Sequence, residues 1–461
     1  MGDRAEVGAA TDAADALLAK LRARLGPAAS AVETYATSSD GLEVRFVSGN
    51  VKGASARESS GVAARAIRGG RLGFAGARDP SPRGLERLCE HVEDALGVGD
   101  ASDLALPGPT PAPADEAALG AWDDATAGLG VADLVALGEA VLGPLRARFP
   151  GVVFDASVRR SVVHARLRNH AGVDVTWRAT AVSVGVEANR TREDDVLLTW
   201  ESAATPGRAA LDPAAVVEAV ARRLVWAERT VPAPSGRLPV LFTPAGGVLL
   251  WSPLLQALGG KTVMLGTSPL RDRVGERVLD PRVRLVDDGL RPGALGSSPF
   301  DDEGTPRATR ALIDQGTLTG FVHDLETARA TGQAPTGNGE RPGVLGRPGP
   351  GFGHVAVDGG ERPWEDLLRS IDRGLLVHTV TGMGQGNTLP GTFSNPVDLA
   401  YLVEGGEVVG RVKDVSIAGN VYDLLGPEHL AGLSAAPEPV GGGYHLPWVL
   451  VRDLRCVSKA G

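Results

Sequence analysis

Three neighbouring carboxylates, Asp301-Asp302-Glu303, followed by Gly304, form the sharpest acidic cluster in the chain. Side by side, such groups can hold a hard cation or shift one another's pKa values. The simpler expectation is an acidic turn whose carboxylates accept backbone N–H groups and shape a cleft. The eight histidines are His91, His164, His170, His323, His354, His378, His429 and His445, and no two sit i, i+4 on one predicted helix, the spacing that presents two imidazoles to one zinc ion. His164 and His170 are expected to face each other across a turn. Ser252 has no G-x-S-x-G elbow around it, and Pro253 beside it argues for capping rather than nucleophilic attack. The run 382–387 (G-M-G-Q-G-N) is glycine-rich but lacks the Lys-Ser/Thr of a phosphate loop and the spacing of a dinucleotide fingerprint. Asp287-Asp288 before Gly289 reads as a turn. Cys89 and Cys456 are far apart and are expected to be free thiols in a reducing cytoplasm.

At 461 residues the chain is too long for one simple core. A net charge of −9 and the absence of Lys/Arg runs longer than two speak against a nucleic-acid binder, which needs a clustered basic face. Residues 1–24 hold no long apolar run, so neither a signal peptide nor a membrane anchor is expected. The chain is rich in Ala, Gly, Arg and Val and poor in Lys, the usage of a GC-rich bacterial genome such as an actinobacterium's.

The elements that must position these groups follow from pattern. A helix over 11–25 carries Leu17, Leu18, Leu21 and Leu25 on one side, with Thr11 as its cap. Strands are expected at 31–38, 42–48, 51–57, 61–67 and 71–77, with turns at Asp40-Gly41, Gly49-Asn50, Ser59-Ser60 and Gly69-Gly70. A helix over 81–96 follows. Four prolines make 97–115 a surface loop. A helix over 131–149 precedes strands at 152–159, 162–169, 173–189 and 197–203. Asp212-Pro213 opens a helix to 229. In the second half, an apolar strand at 238–242 runs into Thr243-Pro244, the signature of a helix start, and the following positions Val248, Leu249, Leu250, Leu254, Leu255 and Leu258 make that helix a buried one. Pro253 is expected to kink it or restart it with Ser252 as a second cap, and Gly259-Gly260 to stop it. The fold class is α+β, with antiparallel sheets and segregated helices in two lobes, 1–229 and 238–461, the second building the cleft.

An ordered series of motifs resembles the TldD/PmbA (TldD/TldE) family of metallopeptidase-related proteins. It includes G-L-E-V-R at 41–45, S-G-V-A-A-R-A-I at 60–67, G-G-R-L-G-F-A at 69–75, G-V-L-L at 247–250, D-D-E-G at 301–304, I-D-Q-G-T-L at 313–318, T-G-N at 336–338, G-T-F-S at 391–394 and I-A-G-N at 417–420. The resemblance spans roughly 41–425. In the catalytic, TldD-type half of that family the stretch after G-V-L-L reads H-E-x-x-x-H, two zinc-binding histidines and a general-base glutamate. This chain has Trp251, Ser252 and Gln256 at those positions, and the family's C-terminal C-G-K ligand is also missing around Cys456, which sits in L-R-C-V-S-K. An indole cannot ligate zinc, and serine cannot take a water proton at neutral pH without a base beside it.

The resemblance therefore implies the TldE/PmbA type. Such a subunit holds no metal or catalytic residue of its own, and pairs with a zinc-bearing TldD-type subunit around a chamber that admits peptides or small amides. Trp251 would plug the vacated zinc site or wall the channel. Gln256, Asp301, Asp302, Glu303, Asn387 and Ser394 would line the cleft. The resemblance also points to peptide maturation or degradation, or natural-product biosynthesis, in the cytoplasm. Two other readings remain open: a stand-alone amide hydrolase with an unrecognised site, and a non-enzymatic regulatory or binding protein.

Overall fold

The computed structural model describes residues 3–193 and 195–459, with the side chains of 3–11 outside the description. The first half builds a six-stranded antiparallel sheet of order β3-β2-β1-β4-β5-β6 from β1 (Ala29–Val47), β2 (Asn50–Arg68), β3 (Arg71–Ala77), β4 (Val153–Asn169), β5 (Asp174–Arg192) and β6 (Asp195–Thr205). Its tight turns enter the left-handed region at Ser48-Gly49, φ 48° and 73°, and at Gly69-Gly70, φ 58° and 72°. The expected turns at Asp40-Gly41 and Ser59-Ser60 do not exist. Asp40 lies opposite Glu58 and Gly41 opposite Arg57 inside one unbroken ladder, so five expected strands are three. β4 likewise absorbs 152–159 and 162–169. The reason is long-range: β1 pairs with β2 on one side and β4 on the other, and both ladders satisfy the backbone that a local turn would leave to water.

Helix α1 (Asp3–Leu25) begins ahead of Thr11, so Thr11 is not its cap, and buries Leu17, Leu18, Leu21 and Leu25 against β1 and β2. Helix α2 (Pro82–Val98) joins the same cluster through Leu85, Leu88, Val92 and Leu96, and is capped by Ser81, whose Oγ accepts the Gly84 N–H at 3.1 Å. From Gly99 to Asp115 the chain runs without helix or strand apart from one bridge, Arg71 to Ala101.

The second half centres on β7 (Gly236–Phe242). It lies between the parallel strand Arg373–Val380 and the antiparallel strand Val449–Ser458, in a sheet continued by Val415–Asn420, Thr392–Glu404 and Glu407–Val412. Both faces of this sheet are buried, and period-2 alternation divides them. Val240, Phe242, Leu375 and Val377 face the core helix Pro244–Leu258. Leu241 and Leu376 face a cluster shared with the helices Val131–Arg148 and Pro213–Trp226 and with Val44, Phe46 and Phe154 of the first sheet. The sheets change over between 229 and 238, whereas this apolar cluster joins residues from both sides of that point. A further sheet, including Leu285–Asp288 and Thr309–Asp314, completes an α+β architecture.

The core helix runs unbroken through Pro253, and Ser252 is exposed and caps nothing. A proline removes one helical N–H bond and crowds the preceding turn, at about 3 kcal/mol in an exposed helix. Here Leu249, Leu250, Leu254 and Leu255 are all buried around it, and their packing outweighs that penalty.

Candidate functional site

Thr243 sets the start of the core helix. Its Oγ1 accepts the Gly246 N–H at 3.2 Å and lies 2.9 Å from His378 Nδ1. The face that follows divides sharply. Trp251 is 1% exposed, packed in the apolar cluster, and its Nε1 has no hydrogen-bond partner. Ser252 and Gln256, one turn apart, are exposed. Gln256 Oε1 accepts the Thr388 hydroxyl at 2.7 Å, which ties the helix to the glycine-rich loop. That loop turns through Gly382, Gly384 and Gly386 at φ 76°, 76° and 78°. Asn387 is exposed, with Oδ1 accepting the Leu389 N–H at 3.3 Å, and Ser394 is exposed on its strand opposite Ala418. The structure thus brings Gln256 and the glycine loop together at the surface and buries Trp251 in the apolar core.

The acidic turn is a different environment. Asp301 Oδ1 accepts the N–H groups of Glu303 at 2.9 Å and Thr305 at 2.8 Å, and its Oδ2 that of Gly339 at 2.8 Å. Asp302 Oδ2 accepts the Arg341 N–H at 2.8 Å. Glu303 accepts Arg65 Nη1 at 2.6 Å on one oxygen and the Leu325 N–H at 2.7 Å on the other. Arg65 also donates to Glu33 at 2.9 Å, its opposite residue in the β1–β2 register, and Glu33 takes Arg341 at 2.5 Å. Gly304 sits at φ 79°, where an added Cβ would lie 2.9 Å from Val173 Cγ1, so the turn needs glycine to reach the first sheet. Burial pushes the carboxyls of Asp301, Asp302 and Glu303 above their ordinary values; the neighbouring Glu303 adds to the effect on Asp301, and Arg65 opposes it on Glu303. Asp301 and Glu303 are therefore buried and line no cleft: Asp301 ties the turn to itself and to Gly339, and Glu303 bonds the second half of the chain to Arg65 of β2. Asp302 borders a cavity of about 290 Å³ with Arg307 and Glu340.

Against known proteins, the family model for the PmbA/TldA metallopeptidase C-terminal domain matches residues 235–458, and that for PmbA/TldA metallopeptidase domain 1 matches residues 32–96. The chain belongs to the PmbA/TldD family. A metalloprotease of Methanocaldococcus jannaschii is 32% identical over 195 residues, covering 42% of this chain and 43% of the relative. A metalloprotease TldD homolog of Haemophilus influenzae is 32% identical over 209 residues, covering 45% and 43%. Each match spans under half of the relative's length. Among solved structures, TldE from Thermococcus kodakarensis superposes with a TM-score of 0.88 at 25% identity, covering 97% of this chain and all of that one.

Within this PmbA/TldD scaffold, the residues at the zinc-motif positions do not fit a zinc ion. Trp251 presents an indole N–H that can only donate, Ser252 a neutral hydroxyl, and Gln256 a carboxamide already engaged by Thr388. The described residues include no group of three or more His, Cys, Asp or Glu able to hold a metal. His164 and His170 do not face each other: β4 continues to Asn169, so His164 lies inside the strand opposite Arg178 and against Trp122, while His170 Nδ1 accepts the Val32 N–H at 3.1 Å. Cys89 and Cys456 are buried free thiols, and burial pushes Cys456 up to about 12.

Sequence reasoning missed one histidine pair. His354 Nε2 and His445 Nδ1 lie 2.9 Å apart because the strands Val355–Val357 and Tyr444–Leu446 pair in parallel. Burial and His445 push His354 down to about 4. Nothing in the sequence links positions 91 apart in this way. A cavity of about 540 Å³ beside His164, Trp177, Arg178 and Phe300 was equally invisible, since it forms where the loop 297–300 passes over β4 and β5.

Proposed function

We propose that this chain is the zinc-free, TldE-type subunit of a two-chain cytoplasmic hydrolase that cleaves peptide or small amide bonds. The observation that carries the reading is Trp251. The helix keeps the family's G-V-L-L approach and its buried seat, yet an indole fills the position of the first zinc ligand from within the apolar core. The whole-length likeness to TldE supports the same choice. In such a pair the metal and its activated water belong to the TldD-type partner, where zinc lowers the water's pKa and polarises the carbonyl. This chain supplies a wall: the exposed Ser252 and Gln256, the glycine loop tied to Gln256, and the exposed Asn387 and Ser394. Two buried thiols suit a reducing compartment, and no helix among the described residues is long and apolar enough to cross a membrane.

The test is zinc content and amide hydrolysis of this chain alone, and then co-purified with a chain from the same genome carrying H-E-x-x-x-H. Zinc and activity are expected only in the pair. One zinc per lone chain, with cleavage, would sink the reading.

A further inference from the structure

A cavity of about 710 Å³ opens one helical turn beyond Gln256. The short helix Gly260–Met264 forms part of its rim through Val263 and Met264, and is tied back to the core helix by the Thr262 hydroxyl, which donates to the Gln256 carbonyl at 2.8 Å. The far wall comes from Arg310, Ala311, Thr319, Phe321, His323 and Thr336.

The lining is cationic. It includes Arg271 and Arg310, and its one carboxylate, Asp272, is 83% exposed and already paired with Arg271 at 3.2 Å. The Arg310 side chain has no hydrogen bond or ion pair among the described residues, and its Nε is buried without a partner. The carboxylate opposite it in the strand register, Asp287, is taken up by Asn338 Nδ2 at 2.6 Å and the Gly353 N–H at 2.8 Å. The buried arginines Arg65, Arg307 and Arg341, by contrast, are each matched to a carboxylate. A half-buried guanidinium left unmatched beside a cavity is a preformed anion receptor.

His323 narrows the ligand. Its Nδ1 lies 3.3 Å from Thr327 Oγ1, whose own proton goes to Asp324 at 2.5 Å, so Nδ1 is the donor and Nε2 is left as an acceptor. Nε2 has no partner among the described residues. The backbone at Gly260 packs directly on this group: an added Cβ would stand 2.6 Å from Nδ1. Val263, Met264, Val274 and Phe321 supply apolar surface around these groups.

We infer that this cavity binds the free C-terminus of a peptide. The carboxylate pairs with Arg310, a backbone N–H serves His323 Nε2, and the last side chain lies against Val263, Met264 and Phe321. The assignment deepens the hydrolase reading and rests on it only for what delivers the peptide; binding itself needs neither partner nor metal.

The experiment is calorimetric titration of the full chain, alone, with acetyl-alanyl-alanine as the free acid, with its C-terminal amide, and with inorganic phosphate. The acid is expected to bind roughly tenfold or more tightly than the amide, the usual worth of one charge-assisted pair, and more tightly than phosphate. Arg310→Met is expected to abolish that preference and Arg310→Lys to keep part of it. Neither change should lower the melting temperature, because Arg310 holds nothing in place. Equal binding of acid and amide to the unaltered chain, a preference that survives Arg310→Met, or tighter binding of phosphate would each overturn the inference. Any of these results would leave the two-chain reading standing, and loss of that reading would leave the titration unaffected.

Discussion

Two stretches of this chain invite a chemical reading, the helix around Trp251 and the turn Asp301–Glu303, and they carry opposite kinds of residue to opposite ends. At the helix, Trp251 is buried in the apolar core, and only the exposed Ser252 and Gln256 are polar. At the turn, carboxylates that look catalytic are spent on backbone N–H groups and arginines. A carboxylate is available for chemistry only if some of its lone pairs lack partners, and residue type alone does not reveal that.

The sharpest way to break this contrast is at Glu303. Glu303→Ala leaves Arg65 with Glu33 alone and strands the Leu325 N–H in a buried site, and should cost about 3 kcal/mol in urea unfolding. Glu303→Gln keeps an acceptor for the N–H and should cost less. A near-neutral Glu303→Ala would mean that the turn is not structural. Next comes Trp251. Trp251→Ala should lose about 3–4 kcal/mol through the cavity it leaves, measured by the same unfolding. Trp251→Phe also removes the orphaned indole N–H and should recover most of that loss. If Phe is as damaging as Ala, the indole nitrogen has a partner and the plug description fails.

The smallest effect is on pH dependence. Burial raises Asp302 above its ordinary 3.8, so the folded state holds this proton more tightly than the unfolded chain. Its contribution to stability is therefore complete below 3.8 and is lost as pH rises through the higher folded value. Asp302→Asn should flatten the fall in melting temperature over that window, leaving the Arg341 N–H an acceptor. An unchanged profile would place the titration elsewhere.

What the sequence made legible was local chemistry. Asp212 and Thr243 cap the helices expected of them, each side chain accepting from the first turn. The glycine pair at 69–70 turns where it should. Illegible were the outcomes decided by distant strands and packing: Asp40-Gly41 stays extended because β2 and β4 hold it on both sides, and the helix continues through Pro253 inside a surrounding apolar core. The acidic cluster was visible as residues but not as an environment, since Arg65, which takes Glu303, lies 238 positions away.

That separation bears on the order in which the molecule can be made. Glu33 and Arg65 emerge from the ribosome early, and their partners Glu303 and Arg341 only much later. β7 waits similarly, because the strand Val449–Ser458 must insert between it and Val415–Asn420. Closing loops of this length is slow, and until then the first sheet shows water an unfinished face of charge. A growing chain can thus close its α1–α2 cluster early but not the core around β7, and a truncated one displays its incompleteness on its surface.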